Sequence, residues 1–317
     1  MEFEPIINKL VQNIHMKNTQ PIFLDLVLDS GAFSGSYLVG GLLYLKKLEK
    51  LNIVVVKRIS GSSIGSLLGL LYLFDNLDIA IDVYKSVKTF FSANGNVSII
   101  KTIVHDLIKN VNMDKINSLT DVLFISYFDV SILEHVVVSK YPDKTVLVDS
   151  ILSSSYIPFI TDGNLIFQNK YIDGVYPYFF EDLQPNRIFF MDLWSHYSFQ
   201  MLYVKNEANS SSRILEGILE THHLFFNDFF HNTFCNKSKL CNFYDSMNYF
   251  DKIKIKLRIY LVHVFVYFYA ILIYFLKFYG FEKDEYFNTV DIHHSWFNSF
   301  KIFIQHSFKV FVKYVLT

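Results

Sequence analysis

The sequence predicts an α/β domain on a mainly parallel central sheet, joined to a helical, aromatic-rich C-terminal region. Three observations predict it. Apolar runs near residues 22 and 53 each pass through small residues into helix-like periodicity. Further runs near 122 and 188 have the length and apolarity of strands. A polar stretch beginning at Lys205 then separates this pattern from long aromatic, apolar segments.

In order, Ile22–Leu28 is an apolar run bounded by Pro21 and the turn cluster Asp29-Ser30-Gly31, so it reads as a buried strand. Residues 36–48 carry apolar side chains at helical spacing and end in the basic pair Lys46-Lys47, which suits a helix C-terminus. Residues 53–59 are a second, Val-rich strand closed by Ser60-Gly61, and Ile64–Leu73 is an apolar helix. Strand, helix, strand, helix implies parallel pairing. Strands are also expected at 122–127 and 188–193, shorter ones at 136–138 and 165–167, and a helix at 144–152. The stretch 205–212 divides a domain at 20–204 from a region at 213–317.

At 317 residues the chain can bury one sizeable core with an appendage. A net charge of −1 gives no electrostatic case for nucleic acid, and two cysteines exclude a disulfide framework. With 51% hydrophobic residues, among them 33 Phe and 21 Tyr, the composition points toward membrane contact. Met1-Glu2-Phe3-Glu4-Pro5 is acidic where a secretory signal is basic, so synthesis is expected to begin in the cytoplasm.

Chemistry concentrates in three places. Gly61-Ser62-Ser63-Ile64-Gly65 is a Gly-x-Ser-x-Gly pentapeptide between a Val-rich strand and an apolar helix, the setting in which a nucleophilic serine is exposed on a tight turn. Ser62 has no glycine two residues before it, so Ser63 is the candidate nucleophile. The small-residue turn after the first strand, Asp29 to Tyr37, presents consecutive backbone N–H groups suited to an oxyanion. A phosphate-binding loop or an ordinary βα turn fits that segment as well. Asp173-Gly174, at the end of a short apolar run, can aim a carboxylate into a cleft as general base, or serve as a turn pair.

Together these features resemble the patatin-like phospholipases. Leu28 to Gly40 is similar to that family's oxyanion turn and first helix, Gly61 to Leu67 to its nucleophile elbow, and Ser153-Ser154-Ser155-Tyr156-Ile157-Pro158 to the small-residue helix end before its catalytic Asp-Gly. The resemblance covers about residues 22 to 193 and implies a three-layer fold and a Ser63–Asp173 dyad. It further implies an oxyanion site at Gly31, Ala32 and Phe33, with Gly35, Gly61, Gly65 and Gly174 as motif glycines. The activity implied is hydrolysis of lipid acyl esters through an acyl-enzyme, with no cofactor or metal. Ser30 and Ala32 stand in two of the family's glycine positions, Ser34 in place of its basic residue, and Val175 where a second small residue is usual.

Other readings stay open. A Ser–Asp–His triad is allowed by the order of Asp173 and Asp192 before His196, His222 and His223, although the elbow follows only the second strand. A weak or inactive lipid-binding relative keeps the same scaffold. His222, His223, His231, Cys235 and Cys241 lack the paired spacing of a zinc site. Residues 259–276 are almost unbroken apolar sequence behind Lys252, Lys254, Lys256 and Arg258, and suit a core helix, a membrane span or an interfacial hairpin. Residues 296–316 alternate aromatics with Lys301, Lys309 and Lys313, as an interfacial helix does.

Overall fold

The computed structural model describes residues 2–12, 14, 20–180, 186–194, 210–231, 241–244 and 247–278; the side chains of 227–231, 241 and 276–278 lie outside the description. His196, Cys235, residues 205–209 and the segment 296–316 also lie outside it. Among the described residues the chain is an α/β domain with a mixed, mostly parallel seven-stranded sheet in the order β4-β3-β2-β1-β6-β7, with β5 pairing β3 off this path. The strands are β1 (Ile22–Leu28), β2 (Val54–Ser62), β3 (Leu123–Asp129), β4 (Glu134–Val138), β5 (Tyr171–Asp173), β6 (Arg187–Met191) and β7 (Cys241–Phe243). β1 pairs parallel with β2 and β6, and β2 with β3, while β4, β5 and β7 pair antiparallel.

The described helices are α1 (Glu4–Val11), α2 (Ser36–Lys50), α3 (Ile64–Leu73), α4 (Leu77–Asn94), α5 (Ile99–Lys109), α6 (Met113–Asn117), α7 (Lys144–Ser154), α8 (Ser210–His231) and α9 (Tyr249–Phe278). Strand side chains alternate between faces. Leu24, Leu26, Leu28, Ile125, Phe189 and Met191 join the main core with α1 to α5, α7 and α8. Val27, Phe124, Ile188 and Phe190 point the other way, onto Ile255 of α9 and Phe180. Further along α9, Val262, Val266 and Ile273 pack on Phe128, Ile172 and Tyr176. Helix α9 therefore lies along the second face of the sheet, anchored from Ile255 to Ile273.

The outward side of α9 is different. Tyr260, Phe265, Phe268 and Tyr274 are each more than 60% exposed, which leaves a long apolar stripe without a protein neighbour among the described residues. It is the one helix among them long and apolar enough to cross a membrane by length and composition. Helix α8 is described from Ser210, inside the polar stretch, and packs so closely on α2 that a Cβ on Gly217 would collide with the Tyr37 carbonyl. The strand expected at 165–167 is not formed. Gln168 and Asn169 adopt φ of 48° and 60°, and this tight reversal leaves Phe167 a single bridge to Tyr171. The strand is Tyr171–Asp173 instead.

Candidate active site

The strand expected to close at Ser60-Gly61 is longer: β2 runs on through Ser62, pairing Gly61 with Ile125 and Ser62 with Ser126. One residue, Ser63, makes the whole reversal into α3, with φ 54° and ψ −125°. A non-glycine residue held there stores backbone strain, and such outliers cluster at functional sites. The flanking glycines serve close approach. A Cβ on Gly61 would sit 2.5 Å from the Gly65 carbonyl carbon, and one on Gly65 would sit 2.5 Å from the Leu28 carbonyl oxygen. Helix α3 can turn back over the sheet only because both are absent.

Ser154 braces the elbow. Its hydroxyl accepts from Ser63 N–H at 2.8 Å and donates to the Ser126 carbonyl at 2.7 Å. The short strand β5 supplies the carboxylate. It pairs with Tyr127–Asp129 of β3 just beyond the residues that pair with β2, so Asp173 lies past the end of β2 beside the elbow. The Ser63 side chain lies close enough to the Asp173 carboxylate to favour its charged form. Ser62, by contrast, is fully buried, with its hydroxyl under Gly174.

Burial pushes the Asp173 carboxyl up from 3.8 to about 6, opposed by the nearby Ser63 side chain and the Val175 N–H and assisted by the negative charge of Asp29. Val175 N–H reaches Asp173 Oδ1 at 2.7 Å. Val175 itself sits at φ 59°, strained for a β-branched residue, and its carbonyl accepts from both the Ser30 hydroxyl and Arg258. Asp29 is completely buried. Its oxygens take Ser30 N–H, Leu193 N–H, Trp194 N–H and both terminal nitrogens of Arg258. Burial raises its pKa to about 6 against the pull of Arg258.

The turn expected to hold an oxyanion forms a 3-10 turn over Ala32–Gly35 ahead of α2, with Ala32 at φ 42°. Its first internal tie is Ser34 N–H to the Gly31 carbonyl; no acceptor among the described residues takes the N–H groups of Gly31, Ala32 or Phe33. Gly31 and Gly35 are required by contact, since Leu193 and Ile64 occupy the space of their Cβ atoms. Ala32, Phe33 and Ser63 form one end of a cavity of about 90 Å³. Its walls are apolar: Leu67, Leu68 and Leu71 of α3, Ala80, Val83, Tyr84 and Val87 of α4, then Ile100, Ile157 and Ile160. A polar end carrying a hydroxyl, beside N–H groups with no acceptor among the described residues, and opening onto a sleeve of branched aliphatics, is chemically suited to an ester with a hydrocarbon tail.

The arrangement unites Ser63, Asp173, Gly31, Ala32 and Phe33, and places His222 elsewhere, with its Nδ1 2.7 Å from the Tyr44 hydroxyl on the α2–α8 contact. No group of three or more potential metal ligands occurs among the described residues. Sequence reasoning gave no role to Ser154 or Asp29 and read Arg258 only as a basic flank. The clue for Ser154 was its place in the small-residue helix end; for Arg258 only its sequence neighbours were visible. Compared with models of known families and with curated proteins, the chain matches none.

Proposed function

We propose that this protein is a serine acyl hydrolase of the patatin-like kind, acting on acyl esters of lipids at a membrane surface. The observation that carries the reading is Ser63 on a strained elbow beside the buried Asp173 carboxylate, at the mouth of an apolar cavity. In the proposed reaction Ser63 Oγ attacks the ester carbonyl carbon while Asp173 takes the hydroxyl proton. The oxyanion is held by N–H groups of the Gly31–Phe33 turn. Collapse expels the alcohol, which receives the proton from Asp173. Water, deprotonated by the same carboxylate, then attacks the acyl-enzyme; the acyl–Oγ bond breaks, Ser63 recovers its proton from Asp173, and the carboxylic acid leaves. An unshifted Asp is a weak base at neutral pH; a pKa near 6 supports the assignment.

The membrane part of the reading rests on α9. A helix crossing a bilayer needs about 20 residues surrounded by lipid, yet α9 is tied to the domain from Ile255 to Ile273. Its exposed aromatic stripe and Lys254 and Lys256 at one end support a helix lying in the headgroup region with its apolar side in lipid.

The test uses a fluorophosphonate probe and a panel of phospholipid and neutral-lipid esters. Wild type labels and turns over, Ser63→Ala does neither, and Asp173→Asn loses turnover. Absence of labelling in folded wild-type protein would replace this reading with a lipid-binding scaffold lacking catalysis.

A further inference from the structure

We propose that Arg258 is a positioning residue that makes α9 a part of the active site, holding the oxyanion turn and the Asp173 loop in register across the end of the sheet. The inference rests on the acyl hydrolase reading of Ser63 and Asp173. Arg258 belongs to a helix on the opposite face of the sheet from the cavity, 229 residues after Asp29 in sequence. Its two terminal nitrogens meet the two Asp29 oxygens at 2.9 and 2.6 Å, and one also reaches the Val175 carbonyl at 3.1 Å. Asp192 lies 3.5 Å away and the Trp194 ring covers the guanidinium at 4.7 Å. One planar group therefore spans the turn that begins the oxyanion site, the loop that carries the base, and the chain end of β6.

Each contact bears on catalytic geometry. Asp29 is followed directly by Ser30 and Gly31, so fixing its carboxylate fixes the entry to the N–H groups of Gly31, Ala32 and Phe33. Val175 holds a strained φ, and such a conformation persists only where its surroundings over-determine it. Arg258 and Ser30 clamp its carbonyl, while its N–H orients Asp173. A second tie from α9, between His263 Nε2 and the Tyr176 hydroxyl at 2.8 Å, secures the next residue of the same loop. A buried ion pair is weak as a source of stability, and apolar packing does as well in its place. What an apolar side chain lacks is the fork of donors that reaches three acceptors at once.

The experiment compares wild type, Arg258→Lys and Arg258→Met in the full chain on a water-soluble short-chain ester, with thermal unfolding and amide hydrogen exchange in parallel. Lysine keeps the charge beside Asp29 but offers no planar fork. Arg258→Lys is expected to melt near wild type while kcat falls on the order of 10- to 100-fold with KM unchanged, the size of effect a small misplacement produces. Exchange should accelerate at residues 30–35 and 174–176 and stay unchanged in β2 and β3. Wild-type kcat in Arg258→Lys overturns the proposal, and so does exchange that rises uniformly over the sheet. If wild type neither labels nor hydrolyses any ester, the hydrolase reading fails by itself. The exchange pattern then decides whether Arg258 orders the two segments, and unchanged protection there overturns the inference.

Discussion

Asp173→Asn should stabilise the protein while abolishing its turnover. A carboxyl whose folded pKa lies above its unfolded value binds more protons in the folded state. Its ionisation therefore costs stability as pH rises from the ordinary 3.8 through the folded value of about 6, and the full cost is present above that. The gap, at about 1.4 kcal/mol per pH unit, amounts to roughly 3 kcal/mol at pH 8. Asparagine removes the charge, and its side-chain oxygen still accepts from Val175 N–H, so most of this gain should be realised. Roughly 1–3 kcal/mol corresponds to a melting temperature about 3–8 °C higher at pH 8. Thermal unfolding of both proteins at pH 8 and pH 4 reads the effect, with the advantage shrinking toward pH 4 as the wild-type carboxyl becomes protonated. Turnover should fall on the order of 100-fold or more, as loss of a general base does. A variant no more stable than wild type at pH 8, or an advantage independent of pH, refutes the reasoning.

Because the proposed reaction needs an ionised Asp173 to accept a proton, wild-type kcat/KM should climb with pH through a midpoint near 6 and level off above it, as a pH–rate profile on a soluble ester will read. Leu71→Phe, which intrudes on the cavity, should depress hydrolysis of long-chain esters while sparing short-chain ones, shown by kcat/KM across a chain-length series. Replacing Phe265 and Phe268, each 64% exposed, by serine should weaken binding to lipid vesicles on the order of 100-fold in a sedimentation assay, without changing hydrolysis of a soluble ester. Gly65→Ala should fail to give soluble protein, because its methyl group meets the Leu28 and Asp29 carbonyls with no room to yield; expression and gel filtration settle this.

What was legible in the sequence was what is local. The elbow is encoded within five residues, and the strand before it and the helix after it announce themselves by apolar runs, so Ser63 stands out from residue types alone. Even there the sequence suggested that the strand closes at Ser60-Gly61, where small residues fit a strand crowded by a returning helix. The 110-residue leap to Asp173 had no local signature beyond a turn-like dipeptide, and only resemblance to a family linked the two. The walls of the cavity were invisible for a different reason. Helices α4 and α5 carry ordinary amphipathic patterns, and nothing in a pattern says that Tyr84 or Ile100 faces a hollow rather than a packed core. Arg258 was misjudged because a basic residue ahead of an apolar stretch reads equally well as a membrane flank.

The central position of β1 has a consequence for the order in which the molecule is made. Its neighbours are a strand that follows within about 30 residues and another some 160 residues later. The carboxylate at its end gathers donors 164, 165 and 229 positions downstream. Contacts of such separation close slowly and late, after local helices and hairpins have formed. During synthesis from the N-terminus, Ser63 and then Asp173 leave the ribosome well before Arg258 does. A nascent chain thus holds its reactive groups for some time beside an uncompensated acidic turn, and the site becomes complete only when the last described helix folds back across the sheet.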